Sequence, residues 1–186
     1  MQNWLRFDMF SVAQTSLEML SYCLSFVKEK PAFWQWVYIS LHHAVQSYMV
    51  LALTGTHSLL PYQDDSVKKW LKCYENEMEL PDCKLDSYNE LYKTVKKEGS
   101  LPLQFIPSES QEKSIKRLND LRNDFVHYKY GRYSLRMSDT PFQMVNDCLD
   151  FIEFLAFQSN NVFWEDETNK KNAEELLNKC RSLAKA

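Results

Sequence analysis

The sequence contains very little glycine and proline, with only 3 Gly and 6 Pro among 186 residues. A β-sheet protein of this length needs many tight turns, and these two residue types supply most of them. Hydrophobic residues make up 45% of the chain and aromatic residues 14%, which is ample for one hydrophobic core. We therefore expect an all-α fold and a single domain over residues 1–186.

The chain also lacks an excess of positive charge. Its formal net charge is −3, so any contact with nucleic acid must come from a local patch. Asp8 and Glu18 interrupt the first apolar residues, and the most apolar stretch contains His42 and His43. Neither a secretion signal nor a membrane span is therefore predicted.

Cysteine usage is the third negative feature. The five cysteines are odd in number, scattered along the chain and never at the spacing of a zinc knuckle. This pattern is typical of reduced thiols. We expect a cytoplasmic protein that uses no metal and no other cofactor.

Apolar residues recur every three or four positions along several segments, which is the period of one helix face. Long helices are predicted at residues 4–27 and 33–53, joined at Pro31 and ended by Gly55, and they should form an antiparallel hairpin. Further helices are predicted at about 108–127 and from 140 onward. These four form the expected antiparallel helical bundle, to which a C-terminal helix from about residue 168 is added.

Residues 56–107 differ from the rest because they hold four of the six prolines and many charges. We interpret them as an insertion into the bundle that carries two shorter helices, near 66–78 and 87–98. Ser87 with Glu90, and Ser108 with Gln111, have the spacing of a capping box.

Arg122 lies on the apolar stripe of the helix at 108–127, four residues after Leu118 and three before Phe125. A guanidinium on packed surface is costly unless a carboxylate, a carbonyl or a bound phosphate contacts it. An ion pair with a neighbouring helix and a phosphate-binding site are both open interpretations. Asn123 and His127 share an adjacent stripe, so the amide is placed to orient the imidazole.

Arg122 and His127 are five residues apart and diverge by roughly 140° on an ideal helix. They converge only if the helix ends in its last turn, or if two copies of the segment meet about a two-fold axis. His42 and His43 are adjacent and could reach the same cleft, but they diverge by roughly 100°. They cannot both face one ion, and no further ligand lies at metal-binding spacing.

The segment after His127 interleaves aromatic and basic residues, a composition that can stack bases and hold phosphates. The alternative is an ordinary charged loop whose tyrosines pack on the bundle. The candidates for RNA contact are Tyr128, Lys129, Tyr130, Arg132, Tyr133 and Arg136.

Residues 122–127 read Arg-Asn-Asp-Phe-Val-His and lie late in the helix that follows a long hairpin and an insertion. This segment resembles the signature of the HEPN superfamily, an Arg followed by a polar residue such as Asn, with a His a few positions beyond. The resemblance covers four helices, about residues 3–55 and 108–160. It implies a four- or five-helix bundle, often a homodimer through the signature helix.

Many members of that superfamily are metal-independent endoribonucleases of toxin-antitoxin and antiviral defence systems, and others only bind RNA, nucleotides or protein. The resemblance implies that His127 acts as general base or general acid, that Arg122 stabilises the pentacoordinate phosphate, and that Asn123 orients one of them. The products would be a 2′,3′-cyclic phosphate and a 5′-hydroxyl. DNA, which lacks the 2′-hydroxyl, would not be cut.

The partners implied are RNA, a second copy of the chain, and an antitoxin or defence protein. Toxins of the superfamily that are silenced by nucleotidylation carry a Tyr two residues after the His, where this chain has Lys129, so that control is not predicted. Two alternatives remain open. One is a non-catalytic HEPN-like module that binds RNA or a partner protein, and the other is an unrelated helical adaptor with Arg122 buried in an intramolecular ion pair.

Overall fold

The computed structural model describes residues 4–5, 7–55, 58–127 and 140–185. This part of the chain contains no β-strand, and the predicted all-α helical bundle is confirmed. No helix within it is both long and apolar enough to cross a membrane. The α-helices are α1 Met9–Phe26, α2 Trp34–Thr54, α3 Asp64–Glu75, α4 Tyr88–Lys96, α5 Glu109–Val126, α6 Thr140–Glu153 and α7 Glu167–Lys185.

Helices α1 and α2 form the predicted hairpin, and a short 3-10 turn at Pro31–Phe33 leads into α2. The prediction that the first helix begins near residue 4 is wrong. Asp8 caps α1 instead, because its carboxylate accepts the Ser11 backbone N–H at 2.7 Å while the Ser11 hydroxyl accepts the Asp8 N–H. Apolar periodicity extends past this cap, but a cap that satisfies the free N–H groups ends the helix.

The predicted insertion contributes two helices that differ in burial. Helix α3 has no buried residue. Helix α4, capped by Ser87 as predicted, packs against α2 and α5 and joins the main core. Its buried side chains are Tyr88, Leu91, Tyr92 and Val95.

Helix α5 begins at the predicted capping box, in which Ser108 and Gln111 each satisfy the other's backbone N–H. It packs against α2 and α6. The buried Asp147 carboxylate on α6 accepts the hydroxyls of Ser110 and Ser114 at 2.7 and 2.6 Å, which joins the first turns of α5 to α6. At the other end of α5, Phe125 stacks on Tyr38 of α2 with ring centroids 6.1 Å apart.

Helix α6 runs into a π-helical turn at Phe154–Gln158, which periodicity did not predict. Helix α7 then returns along α1 and α6. Arg181 of α7 contacts Asp150 and Glu153 of α6 at 2.7 Å each. The predicted C-terminal helix is therefore an integral layer of the bundle.

A candidate active site at the end of helix α5

Arg122 lies in the last turns of α5 and is half-buried. Its Nη1 donates a hydrogen bond to Asn123 Oδ1 at 2.9 Å. In the described part of the chain, no carboxylate forms an ion pair with Arg122. The intramolecular ion pair required by the helical adaptor hypothesis is thus not seen in the described chain.

Arg122 lines a cavity of about 670 Å³ between α1, α2 and the end of α5. This volume falls within the range of small-molecule sites. None of its described lining residues is acidic, and Arg122 is the single Lys or Arg among them. The lining consists of Phe7, Ser11, Val12, Thr15, Ser16, Met19, Trp36, Ile39, Ser40, His42, His43, Gln46, Arg122 and Val126.

His42 forms a buried part of the cavity wall, with only 5% of its surface exposed. Its ring stacks on Tyr88 with centroids 4.3 Å apart, and its Nε2 lies 3.2 Å from Asn119 Oδ1. Burial lowers the pKa of His42 to about 4; the hydrogen bond to Asn119 opposes the shift, and the positive charge of Arg122 adds to it. The ring is therefore neutral at neutral pH, with Nε2–H donating to Asn119 and a lone pair on Nδ1.

His43 is exposed and lies one residue further around the same wall. Its Nδ1 is 2.6 Å from Ser16 Oγ, and that hydroxyl also lies 2.6 Å from the carbonyl oxygen of Val12. The carbonyl can only accept, so the Ser16 proton is directed to Val12 and His43 Nδ1–H must donate to Ser16. In the neutral ring this leaves the lone pair on Nε2, the form of imidazole that can accept a proton.

His127 is the C-cap of α5 and is exposed, with its backbone N–H bonded to the Asn123 carbonyl at 3.0 Å. Helix α5 therefore ends at Val126, directly before His127. This is one of the two arrangements that the sequence analysis required for Arg122 and His127 to converge. His127 is nevertheless not among the described residues that line the cavity. Within one chain, Arg122 shares its cavity with His42 and His43.

The predicted contact between Asn123 and the imidazole of His127 is replaced by the contact between Asn123 and Arg122. The six residues predicted to contact RNA lie outside the described residues: Tyr128, Lys129, Tyr130, Arg132, Tyr133 and Arg136. Their role stays a prediction.

The described lining of the cavity combines one cation, the neutral imidazole of His42, the imidazole of His43 and an exposed tryptophan, Trp36. Such a set can bind an anion and exchange a proton with it. Across the described residues, no group of three His, Cys, Asp or Glu side chains is arranged to hold a metal ion. The sequence indicated that His42 and His43 could reach this cleft, but Ser16 and Gln46 carried no recognisable signal.

Comparison of this chain with known protein families, curated proteins and solved structures finds no match.

Proposed function

We propose that the protein is a metal-independent endoribonuclease of HEPN type, with its active site at the carboxyl end of α5. One observation carries the proposal: the half-buried guanidinium of Arg122 has no carboxylate partner among the described residues and is held instead by Asn123. An uncompensated cation on packed surface is costly. A phosphate bound there would supply a negative charge and could accept two parallel N–H bonds.

In the proposed reaction a histidine removes the proton of the ribose 2′-hydroxyl, and O2′ attacks the adjacent phosphorus. The bond between phosphorus and O5′ breaks, and O5′ takes up one proton from a protonated histidine or from water. Arg122 stabilises the extra negative charge of the pentacoordinate phosphate. The products are a 2′,3′-cyclic phosphate and a 5′-hydroxyl, and no electron transfer is involved.

His127 is the proposed acid or base, acting from a second copy of the chain. In one chain the exposed His127 is not among the described residues that line the cavity at Arg122. A homodimer with α5 near its two-fold axis would place the His127 of each copy beside the Arg122 of the other. Val126 of α5, 37% exposed, and Trp36, 53% exposed, offer apolar surface beside this site for such an interface.

The proposed cellular role is antiviral defence or a toxin-antitoxin system, in the cytoplasm, with RNA as substrate and an antitoxin or defence protein as a further partner. The aromatic and basic residues of segment 128–136 are proposed to contact the RNA. A non-catalytic HEPN-like module that binds RNA or a partner protein is the second candidate. The separation of His127 from the cavity of Arg122 favours it, because a binding module needs no convergence of the two side chains.

The test is cleavage of a mixed RNA pool in EDTA, with end-group analysis of the products. The wild-type chain should give cyclic phosphate ends, and both His127→Ala and Arg122→Ala should abolish them. The control is Arg117→Ala, which removes an exposed arginine of the same helix.

Mixing the two inactive variants also tests the dimer. If each copy supplies His127 to the other, a heterodimer of the Arg122 and His127 variants retains one intact site and should recover activity. Absence of cleavage by the wild-type dimer, with RNA still bound, would support the binding module in place of the ribonuclease.

A further inference from the structure

The walls of the cavity at Arg122 are more apolar than its residue types suggest. Met19, Trp36, Ile39 and Val126 contribute large apolar surfaces. Two of the hydroxyl groups in the wall are turned back to their own helices: Ser16 donates to Val12 and Ser40 to Trp36. Hydroxyls satisfied in this way present mostly carbon to the cavity, so the body of a ligand there meets few free donors.

Among the described lining residues of this cavity, charge is confined to one place. Arg122 is the single described lining residue with a permanent charge, and its guanidinium has donors beyond the one used by Asn123. A second cavity of about 430 Å³ adjoins the first through Phe7, Val12, His43 and Gln46. Asp8, the one acidic residue among the described lining of the two cavities, lines only the second.

This distribution of charge favours one orientation of a bound ligand in the cavity. An anionic head group is attracted to the Arg122 end and repelled from the Asp8 end. The apolar body is left to lie along Met19, Trp36 and Ile39. Trp36, half of whose surface is exposed, gains most from being covered.

We infer that this cavity binds a small amphipathic carboxylate, with the carboxylate on Arg122 and an aliphatic or aromatic body along α1 and α2. The carboxylate forms a bidentate, charge-assisted pair with the guanidinium, and burial of the body against the apolar wall supplies the rest of the affinity. A cavity of this size holds a small molecule rather than a protein segment.

The inference does not depend on the proposed ribonuclease activity, although both use Arg122. A carboxylate on the guanidinium would occupy the position proposed for the RNA phosphate. The ligand would therefore act as a competitive inhibitor of cleavage, and the protein would respond to the concentration of a small apolar acid.

The probes are decanoate and decanol, which share an alkyl chain and differ in the head group. Calorimetric titration of the wild-type chain at pH 7 should show one decanoate per chain, bound about tenfold more tightly than decanol. Arg122→Met, which keeps an apolar stem but removes the charge, should bind the two probes equally. Arg117→Met on the exposed face of α5 should retain the wild-type preference.

A second variant tests where the apolar body of the ligand lies in the cavity. Thr15 is exposed and lines the cavity. Thr15→Trp should therefore fill the cavity without disturbing the core, and it should lower the affinity for both probes. Three results would overturn the inference. The wild-type chain could bind decanoate and decanol equally, the preference for decanoate could survive Arg122→Met, or decanoate binding could fail to saturate. RNA cleavage without decanoate binding rejects this inference alone, and decanoate binding without RNA cleavage rejects the ribonuclease alone.

Discussion

Arg122 and Asn123 are consecutive residues of one helix, yet their side chains are joined by a hydrogen bond of 2.9 Å. Consecutive side chains on a helix diverge by about 100° and do not normally face each other. The long arginine side chain must bend around the helix to reach the amide. This hydrogen bond fixes one nitrogen of the guanidinium, and we predict that Asn123 is a positioning residue for Arg122.

This relationship predicts that Asn123→Ala lowers the rate of the proposed RNA cleavage through its effect on Arg122. The guanidinium keeps its charge but loses its fixed direction, so transition-state stabilisation weakens more than ground-state binding. We expect kcat to fall about tenfold with little change in KM. Single-turnover and steady-state kinetics on one RNA substrate measure both constants.

The matched control is Asn178→Ala, which removes an exposed asparagine of α7 far along the chain from the site. It should leave both constants unchanged. A purely structural role for Asn123 would appear instead as a lower melting temperature with unchanged kcat for the folded fraction, and that result would remove it from the proposed site.

The second prediction concerns the response of the fold to acid. His42 has a pKa of about 4 in the folded chain, because burial against Tyr88 disfavours the charged ring, whereas an unfolded histidine titrates near 6.5. The unfolded state therefore binds one more proton between these two values. The stabilisation is fully present above about pH 6.5 and is lost as the pH falls toward 4, by about 3 kcal/mol in all.

Urea denaturation at several pH values between 4 and 7 measures this loss. His42→Phe keeps a ring against Tyr88 but removes the titrating group, so its free energy of unfolding should vary less over the same range. The charged neighbours of His42 are Arg122 and, when protonated, His43. If wild type and His42→Phe lose stability in parallel, His42 is not the group responsible.

The third prediction uses two glycines that have positive φ in the described part of the chain. Gly55 ends α2 with φ +23°, and a Cβ there would overlap the side-chain amide of Asn161. That amide donates to the Ala52 carbonyl at 2.6 Å and cannot move without losing the bond. We expect Gly55→Ala to lower the free energy of unfolding by about 2 to 3 kcal/mol.

Gly99, with φ +81°, is the matched control because a Cβ there meets nothing within 4 Å. Gly99→Ala adds only the backbone cost, about 1 kcal/mol. Equal losses in the two variants, measured by urea denaturation, would mean that the Asn161 contact gives way at little cost.

Local sequence was enough to predict most of the helices, because helix starts and ends depend on neighbouring residues. The capping box of Ser108 and Gln111 and the C-cap at Gly55 lie where the sequence placed them. The features that the sequence analysis did not predict also depend on neighbouring residues. Apolar residues continue on both sides of the cap at Asp8, so apolar periodicity does not reveal it, and the π-helical turn at Phe154–Gln158 interrupts no apolar period.

Of the candidate site, the sequence by itself determined that Arg122 lies on the packed side of α5 and that Asn123 and His127 lie beside it. Only the tertiary structure decided which groups share a cavity with Arg122. His43 and Ser16 are 27 residues apart and meet because α1 and α2 pack as a hairpin, and His42 meets Asn119 because α5 packs on α2. Such contacts depend on how whole helices are oriented in the core, and no local pattern of residues encodes that orientation.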